Sequence, residues 1–426
     1  MNTAGLSTDQ APPFAVPLAW YAVAPLALLA AGSLLILDGA RPLATGWLQP
    51  TAALAHLGTL GLLGAAMLGS LYQMVPVVAG SPVPWARFAP LVAGLFAIGT
   101  AGLVAGLQLF DLPTLRWATW LLGGALTAAL LPIAWALLRA PSPSLTVHGM
   151  RLAVLALAIL AGLGLRLAWG HATGRLPMER QALLTAHLAL GLLGWVGALL
   201  AAVSWQIVPM FWMTAAIPQR WSRFLLGTLA LNALAVPTLA LTGAPWPWVA
   251  LAASPAALVV WLGQPWQLWR ALQQRRRKRA DPSLRLWQLS ILLAPWTFIA
   301  AVVWALVDWG PLGPLWGWLA VWGWAGAAIH GSLGKIVPFL AWFHRFAQTA
   351  DRPELQARVP PMKQLLPDPL LRLGLYLHVA ALVLGVAAIL SGWDPLARLT
   401  GLAVAATGLS LAVELALPVW RAWRVR

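Results

Sequence analysis

The chain has 426 residues, of which 61% are hydrophobic and only 9% charged. That is too little polar surface to cover a water-soluble globule of this size, so water is excluded as its main solvent. Cysteine is absent, which excludes disulfides, iron–sulfur clusters, thiolate-ligated haem and covalently attached c-type haem.

Apolar runs long enough to cross ~30 Å of hydrocarbon recur from end to end. In chain order they cover residues 16–37, 54–79, 88–109, 115–138, 152–169, 183–212, 224–242, 246–269, 286–307, 315–343, 370–390 and 399–420. They are continuously apolar, unlike the ~10-residue alternating strands of outer-membrane barrels. The prediction is an all-α integral membrane protein of about 12 transmembrane helices in a single transmembrane domain. The first run follows a polar stretch with no basic residue and no small-residue cleavage pattern, so it is expected to be retained as a helix.

The formal net charge of +16 follows topology. Twenty Lys and Arg fall in the even-numbered connections and the C-terminal tail, against six (Arg41, Arg116, Arg166, Arg175, Arg180 and Arg398) in the opposite loops. Cytoplasmic loops are the basic ones, which predicts a multi-pass protein of the cytoplasmic (inner) membrane with both termini inside. The cluster at 275–279 is expected to meet anionic lipid headgroups, so the partner is the lipid bilayer and not nucleic acid. Most of the 28 tryptophans read as interfacial anchors and packing residues.

An internal repeat organises the chain. The second helix ends in Gln73, Met74, Val75 and Pro76, the sixth in Gln206, Ile207, Val208 and Pro209, and the tenth in Lys335, Ile336, Val337 and Pro338. The prolines are 133 and 129 residues apart, which predicts three pseudo-repeated four-helix arcs at roughly 14–140, 147–270 and 284–421. Glycines crowd the helices ahead of the first two prolines: Gly58, Gly61, Gly64 and Gly69, then Gly191, Gly194 and Gly197. Small residues let a neighbouring helix or a flat ligand approach closely. Histidines accompany them, His56 lying 20 residues before Pro76 and His187 lying 22 before Pro209. Both fall at nearly equal depth in the outer half of the bilayer. An ionisable side chain inside a span is a functional-site candidate, the alternative being an interhelical hydrogen bond. Neutral imidazole is the usual axial ligand of haem where no thiolate is available, and it also suits copper and zinc.

Three four-helix arcs with histidines near the outer ends of the second and sixth helices resemble the catalytic subunit of the haem–copper oxidases and nitric oxide reductases. The stretch VPVVAGSPVPWARF at 75–88 is similar to the second-helix exit of that superfamily, and His187 with Gly191 and the later Ile-Val-Pro to its sixth helix. The resemblance implies a haem-binding bundle, with His56 as a low-spin haem ligand and His187 as a metal ligand. It also implies what is missing. Members carry a His-x-His pair on the tenth helix, where this chain has Trp316 and Trp318, and copper-containing members carry a histidine pair on the seventh, where 224–242 has none. No standard active-site copper and no standard oxygen-reducing centre is therefore expected. The implied role is electron transfer, or quinol or small-gas chemistry, alone or with a redox partner subunit. Because His330 lies too deep to replace the missing tenth-helix ligand, the haem, of b type, is expected between His56 and His187. The competing class is a cofactor-free transporter or assembly subunit on the same scaffold.

Other candidates are fewer. His330 and His378 could face one another across the tenth and eleventh helices, as cofactor ligands or as a hydrogen-bonded pair. Arg398 is a candidate for a haem propionate. Lys335 is expected to snorkel to the headgroups, and Glu414, in the middle of the last helix, to be proton-linked or paired with a buried donor. His148, His171 and His344 fall at predicted interfaces.

Overall fold

The computed structural model describes residues 7–141, 143–276 and 279–424. Within the basic cluster at 275–279, Arg277 and Lys278 lie outside the described residues. The described residues form an all-α, multi-span membrane protein. Twelve long helices run through it: α1 (Ala15–Asp38), α2 (Gln49–Ala79), α3 (Ala86–Leu109), α4 (Leu112–Leu138), α5 (Leu145–Thr173), α6 (Arg180–Trp212), α7 (Gln219–Leu241), α8 (Trp246–Gln273), α9 (Pro282–Leu306), α10 (312–348), α11 (Asp368–Ser391) and α12 (Asp394–Trp423). Eleven are long and apolar enough to cross a bilayer. The tenth is diluted by Trp, Gly, His330 and Lys335, residues that its enclosed position accommodates.

The outer surface is apolar, with Leu26, Leu37, Leu109, Trp120, Leu138 and Leu306 among its exposed large side chains. In water such a surface would aggregate, and in lipid it is the solvated face. Each helix packs on its successor, and α12 returns to pack along α1. That last crossing is a close backbone contact: a Cβ on Gly32 would lie 2.5 Å from the Gly401 carbonyl, and one on Gly401 2.6 Å from the Gly32 carbonyl. Backbone oxygens cannot swing aside, so Gly401→Val should cost at least the ~1–3 kcal/mol of ordinary overpacking. The expected readout is a lower Tm of the purified protein, with Ala403→Val, one turn-face away, as the milder control.

Helices α2, α6 and α10 meet inside the bundle. The central segments of α2 and α10 pack on each other, with Gly58 against Val321. His56 of α2 faces His187 of α6, and Phe211 of α6 meets Phe339 of α10 edge-on at 6.2 Å. All three inner helices contain an eight-residue π-helical segment, Leu57–Gly64, Leu190–Gly197 and Leu319–Gly326, each ending twelve residues before its helix's proline. Wide π turns are uncommon and concentrate at functional sites. Their last residue is glycine for a steric reason. A Cβ on Gly64, Gly197 or Gly326 would stand 3.0, 3.1 or 2.7 Å from the carbonyl five residues earlier in its own helix, Thr59, Leu192 or Val321. These repeat glycines therefore serve the π turn itself, whereas Gly58 and Gly194 serve packing against a neighbour.

Several helices extend beyond their apolar runs by polar turns. The helix α5 begins at Leu145 behind a Ser144 cap, and α9 begins at Pro282 behind Asp281, whose carboxylate accepts from the Leu284 N–H at 3.0 Å. Lys335 does not snorkel. Its ammonium pairs with Asp281 at 2.8 Å, both side chains being largely enclosed.

Candidate functional site

The outer site is built from helix starts. The side chains of His56 and His187 each lie seven residues into their helix, α2 and α6, on the side of the bundle opposite the termini. Their rings are tilted by 41° with centroids 6.2 Å apart, and both residues are half-buried. Nδ1 of His56 lies 2.7 Å from the Ala52 carbonyl one turn earlier. A carbonyl only accepts, so Nδ1 carries the hydrogen and Nε2 keeps its lone pair free, the arrangement that second-shell carbonyls impose on metal-binding imidazoles. The His187 ring sits over Gly164 of α5, where a Cβ would come within 2.8 Å of its Cε1. The Leu160 carbonyl is the backbone acceptor beside it, although Nδ1 makes no hydrogen bond of good geometry.

Two imidazoles bound to one metal ion from opposite sides, through bonds of ~2 Å each, place their ring centroids ~6 Å apart. The observed separation fits that requirement, and the His56 tautomer fits it as well. Above the pair, about 10 Å toward the helix starts at the usual rise per residue, lie Gln49 and Arg180, the first residues of α2 and α6. Gln49 Nε2 lies 3.2 Å from His171 Nδ1, and the Arg180 guanidinium lies over the Trp47 ring at 5.9 Å. This polar rim of Gln49, His171 and Arg180 would suit the carboxylates of a bound group. Sequence reasoning did not find this rim; the equal seven-residue spacings from Gln49 to His56 and from Arg180 to His187, two turns along one helix face, could have pointed to it. Arg398 goes elsewhere, donating to the Ile36 carbonyl of α1, and no described contact brings it to either histidine.

On α10, positions 316 and 318, where the resembled family carries histidines, hold indoles. Trp316 stacks on Trp304 at 5.1 Å and meets Trp261 edge-on at 6.2 Å, while Trp261 meets Trp324 at 6.0 Å. Between α6, α8, α9 and α10 there is a cavity of only about 20 Å³, lined in part by Gly197, Gln264, Trp287 and Trp324. That is room for about one water molecule, not for a macrocycle.

A second cluster lies deeper, where α10, α11 and α12 meet. His330 and His378 approach with Nδ1 atoms 3.4 Å apart. His330 Nε2 lies 3.2 Å from Glu414 Oε2, the Ser410 hydroxyl donates to Glu414 Oε1 at 3.0 Å, and His378 Nε2 donates to the Trp322 carbonyl at 3.1 Å. All three titratable side chains are nearly inaccessible, at 3%, 1% and 1% exposure for His330, His378 and Glu414. Their nitrogens and oxygens are spent on one another in a linear chain. They do not converge on a common point, and among the described residues no group of three or more His, Asp or Glu has metal-holding geometry. Of the interfacial histidines, His148 is exposed, His171 bonds Gln49, and His344 stacks on Phe14 at 5.6 Å.

Compared with known proteins, the chain matches no protein-family model and no curated sequence.

Proposed function

We propose that the protein is a divergent member of the haem–copper oxidase superfamily that carries single electrons through one haem held between His56 and His187. The observation that supports it is the facing of these two imidazoles at 6.2 Å from matching positions in α2 and α6, with the His56 tautomer fixed by Ala52. His56 and His187 would hold the haem as two neutral imidazoles, and the group would supply one-electron chemistry and not gas binding. Its donor is a quinol or a partner subunit, and its membrane is the cytoplasmic one, with both termini inside in keeping with the distribution of Lys and Arg. The half-buried histidines and the Gln49, His171 and Arg180 rim favour an edge-exposed cofactor over an enclosed one.

The experiment is an absorption spectrum of detergent-purified protein made with an adequate haem supply. A Soret band with sharp low-spin features is the expected result. Stoichiometric preparations without one would overturn the reading and favour the cofactor-free transporter or assembly subunit.

The aromatic filling around Trp316 and Trp261 supports a second expectation, that the protein does not reduce oxygen. Oxygen consumption with a quinol or cytochrome donor should stay at the uncatalysed background. Cyanide-sensitive turnover at oxidase-like rates would reveal a catalytic centre that these residues do not provide.

A further inference from the structure

The deep cluster does not depend on the haem reading, and its hydrogen bonds leave few ways to protonate it. The Trp322 carbonyl can only accept, so His378 Nε2 carries a hydrogen. One hydrogen must lie between the two Nδ1 atoms, and one more between His330 Nε2 and Glu414 Oε2. Three arrangements satisfy this. In the first, Glu414 is a neutral acid that donates to His330 Nε2. In the second, the Glu414 O–H bond has broken, its electron pair remaining on oxygen, and an N–H bond has formed at His330 Nε2. In the third, the Nδ1–H bond of His330 has broken in turn and an N–H bond has formed at His378 Nδ1, leaving the cation on His378 and the anion on Glu414. The number of protons and the net charge are the same in all three, as a buried site requires, because an uncompensated buried charge is strongly unfavourable.

We propose that His330, His378 and Glu414 are a buried proton-holding site in which one proton moves between the Glu414 carboxyl and the His378 imidazole without a change of net charge. Each end is equipped for the transferred form. The Ser410 hydroxyl supports the carboxylate at Oε1. The indole of Trp322 lies flat on His378, with centroids 4.5 Å apart and planes 12° from parallel, a face that attracts a cation. The chain then stops at a backbone carbonyl, which has no proton to pass on, so the site stores a proton and does not conduct one. Gly374 of α11 makes the room: a Cβ there would stand 3.1 Å from His330 Nε2 and closer still to the Glu414 carboxyl.

Few other groups bear on it. From α9 come the Ser283 hydroxyl beside Gly334 and, further toward the termini, Asp281 on Lys335. Helix α1 presents Pro25, Leu28 and Leu29 to Gly408 of α12, and Arg421, two turns beyond Glu414, donates to the Gln364 carbonyl. No further titratable side chain among the described residues is in hydrogen-bond contact with the three.

The test is solid-state NMR of the full chain in lipid bilayers, with ¹⁵N-labelled histidine. In the native protein the His378 Nδ1 resonance should lie between the protonated and bare positions, averaged by exchange. Glu414→Gln preserves a donor to His330 but has no proton to release, so the resonance should move to the bare position. An identical His378 Nδ1 signal in the two proteins overturns the proposal and leaves a static brace. If Glu414→Gln does not fold, Ser410→Ala carries the test, since it weakens only the carboxylate end. Its carboxylic-acid C=O band in the infrared should gain intensity over the native protein, and an unchanged band is equally fatal.

Discussion

Replacing His187 by alanine should abolish the Soret absorbance of the purified protein or convert its spectrum from low-spin to high-spin, and His56→Ala should do the same. The effect is expected to be large, because on the proposed reading each imidazole would supply one of the two bonds that hold the haem, and α2 and α6 offer no substitute ligand at that depth. Neighbouring side chains are Gly58, Thr59 and Leu60 on one helix and Leu188, Gly191 and Leu192 on the other, none of which ligates iron. His330→Ala is the control. Its ring is committed to His378 and Glu414, so the haem spectrum should not change even if stability falls. Arg180→Gln provides a graded companion: at the rim, it should shift the midpoint potential and leave the low-spin spectrum intact, whereas Arg398→Gln, whose side chain goes to the Ile36 carbonyl, should change neither the potential nor the spectrum. A native low-spin spectrum in His187→Ala would show that the two histidines are not the axial pair.

The bundle was legible in the sequence because lipid imposes one rule, a long apolar run for every crossing, and each of the twelve runs coincides with a long helix. Their ends were less legible. Polar turns at 145–151 and 394–398 continue α5 and α12 into the interface, where hydropathy falls although the backbone stays helical. The signals there were chemical: Ser144 before α5, and Asp281-Pro282 before α9, an N-cap followed by proline at the first helical position. The proline repeat identified the three inner helices, yet nothing in residue type announces a π turn. Glycine at 64, 197 and 326 is equally consistent with helix packing, and only the approach of the carbonyl five residues back distinguishes the two. The facing of His56 and His187 followed from their equal depth along the helices, and that of His330 and His378 from the adjacency of consecutive antiparallel helices. Glu414 joining the second pair did not, because sequence spacing carries no information on which face of α12 turns toward α10.

Asp281→Asn should destabilise the protein by ~3–5 kcal/mol, the cost of leaving one member of an enclosed ion pair without its partner. The ammonium of Lys335 sits 2.8 Å from the Asp281 carboxylate, with side-chain exposures of 16% and 10%, so water can replace little of the lost interaction. The pair joins the start of α9 to the inner helix α10. Asparagine keeps the helix cap, since its side-chain oxygen can still accept from the Leu284 N–H. The loss therefore reports the charge and not the cap. Lys335→Met should cost less, because the orphaned carboxylate still caps α9 and still faces the positive end of its dipole. The double variant, Asp281→Asn with Lys335→Met, should recover most of the loss, since replacing both charges removes the desolvation cost together with the attraction. Thermal unfolding of the four proteins in one detergent measures all three values. Equal small losses in both single variants, adding in the double, would mean that water already screens the pair and that α9 is held to α10 by packing alone.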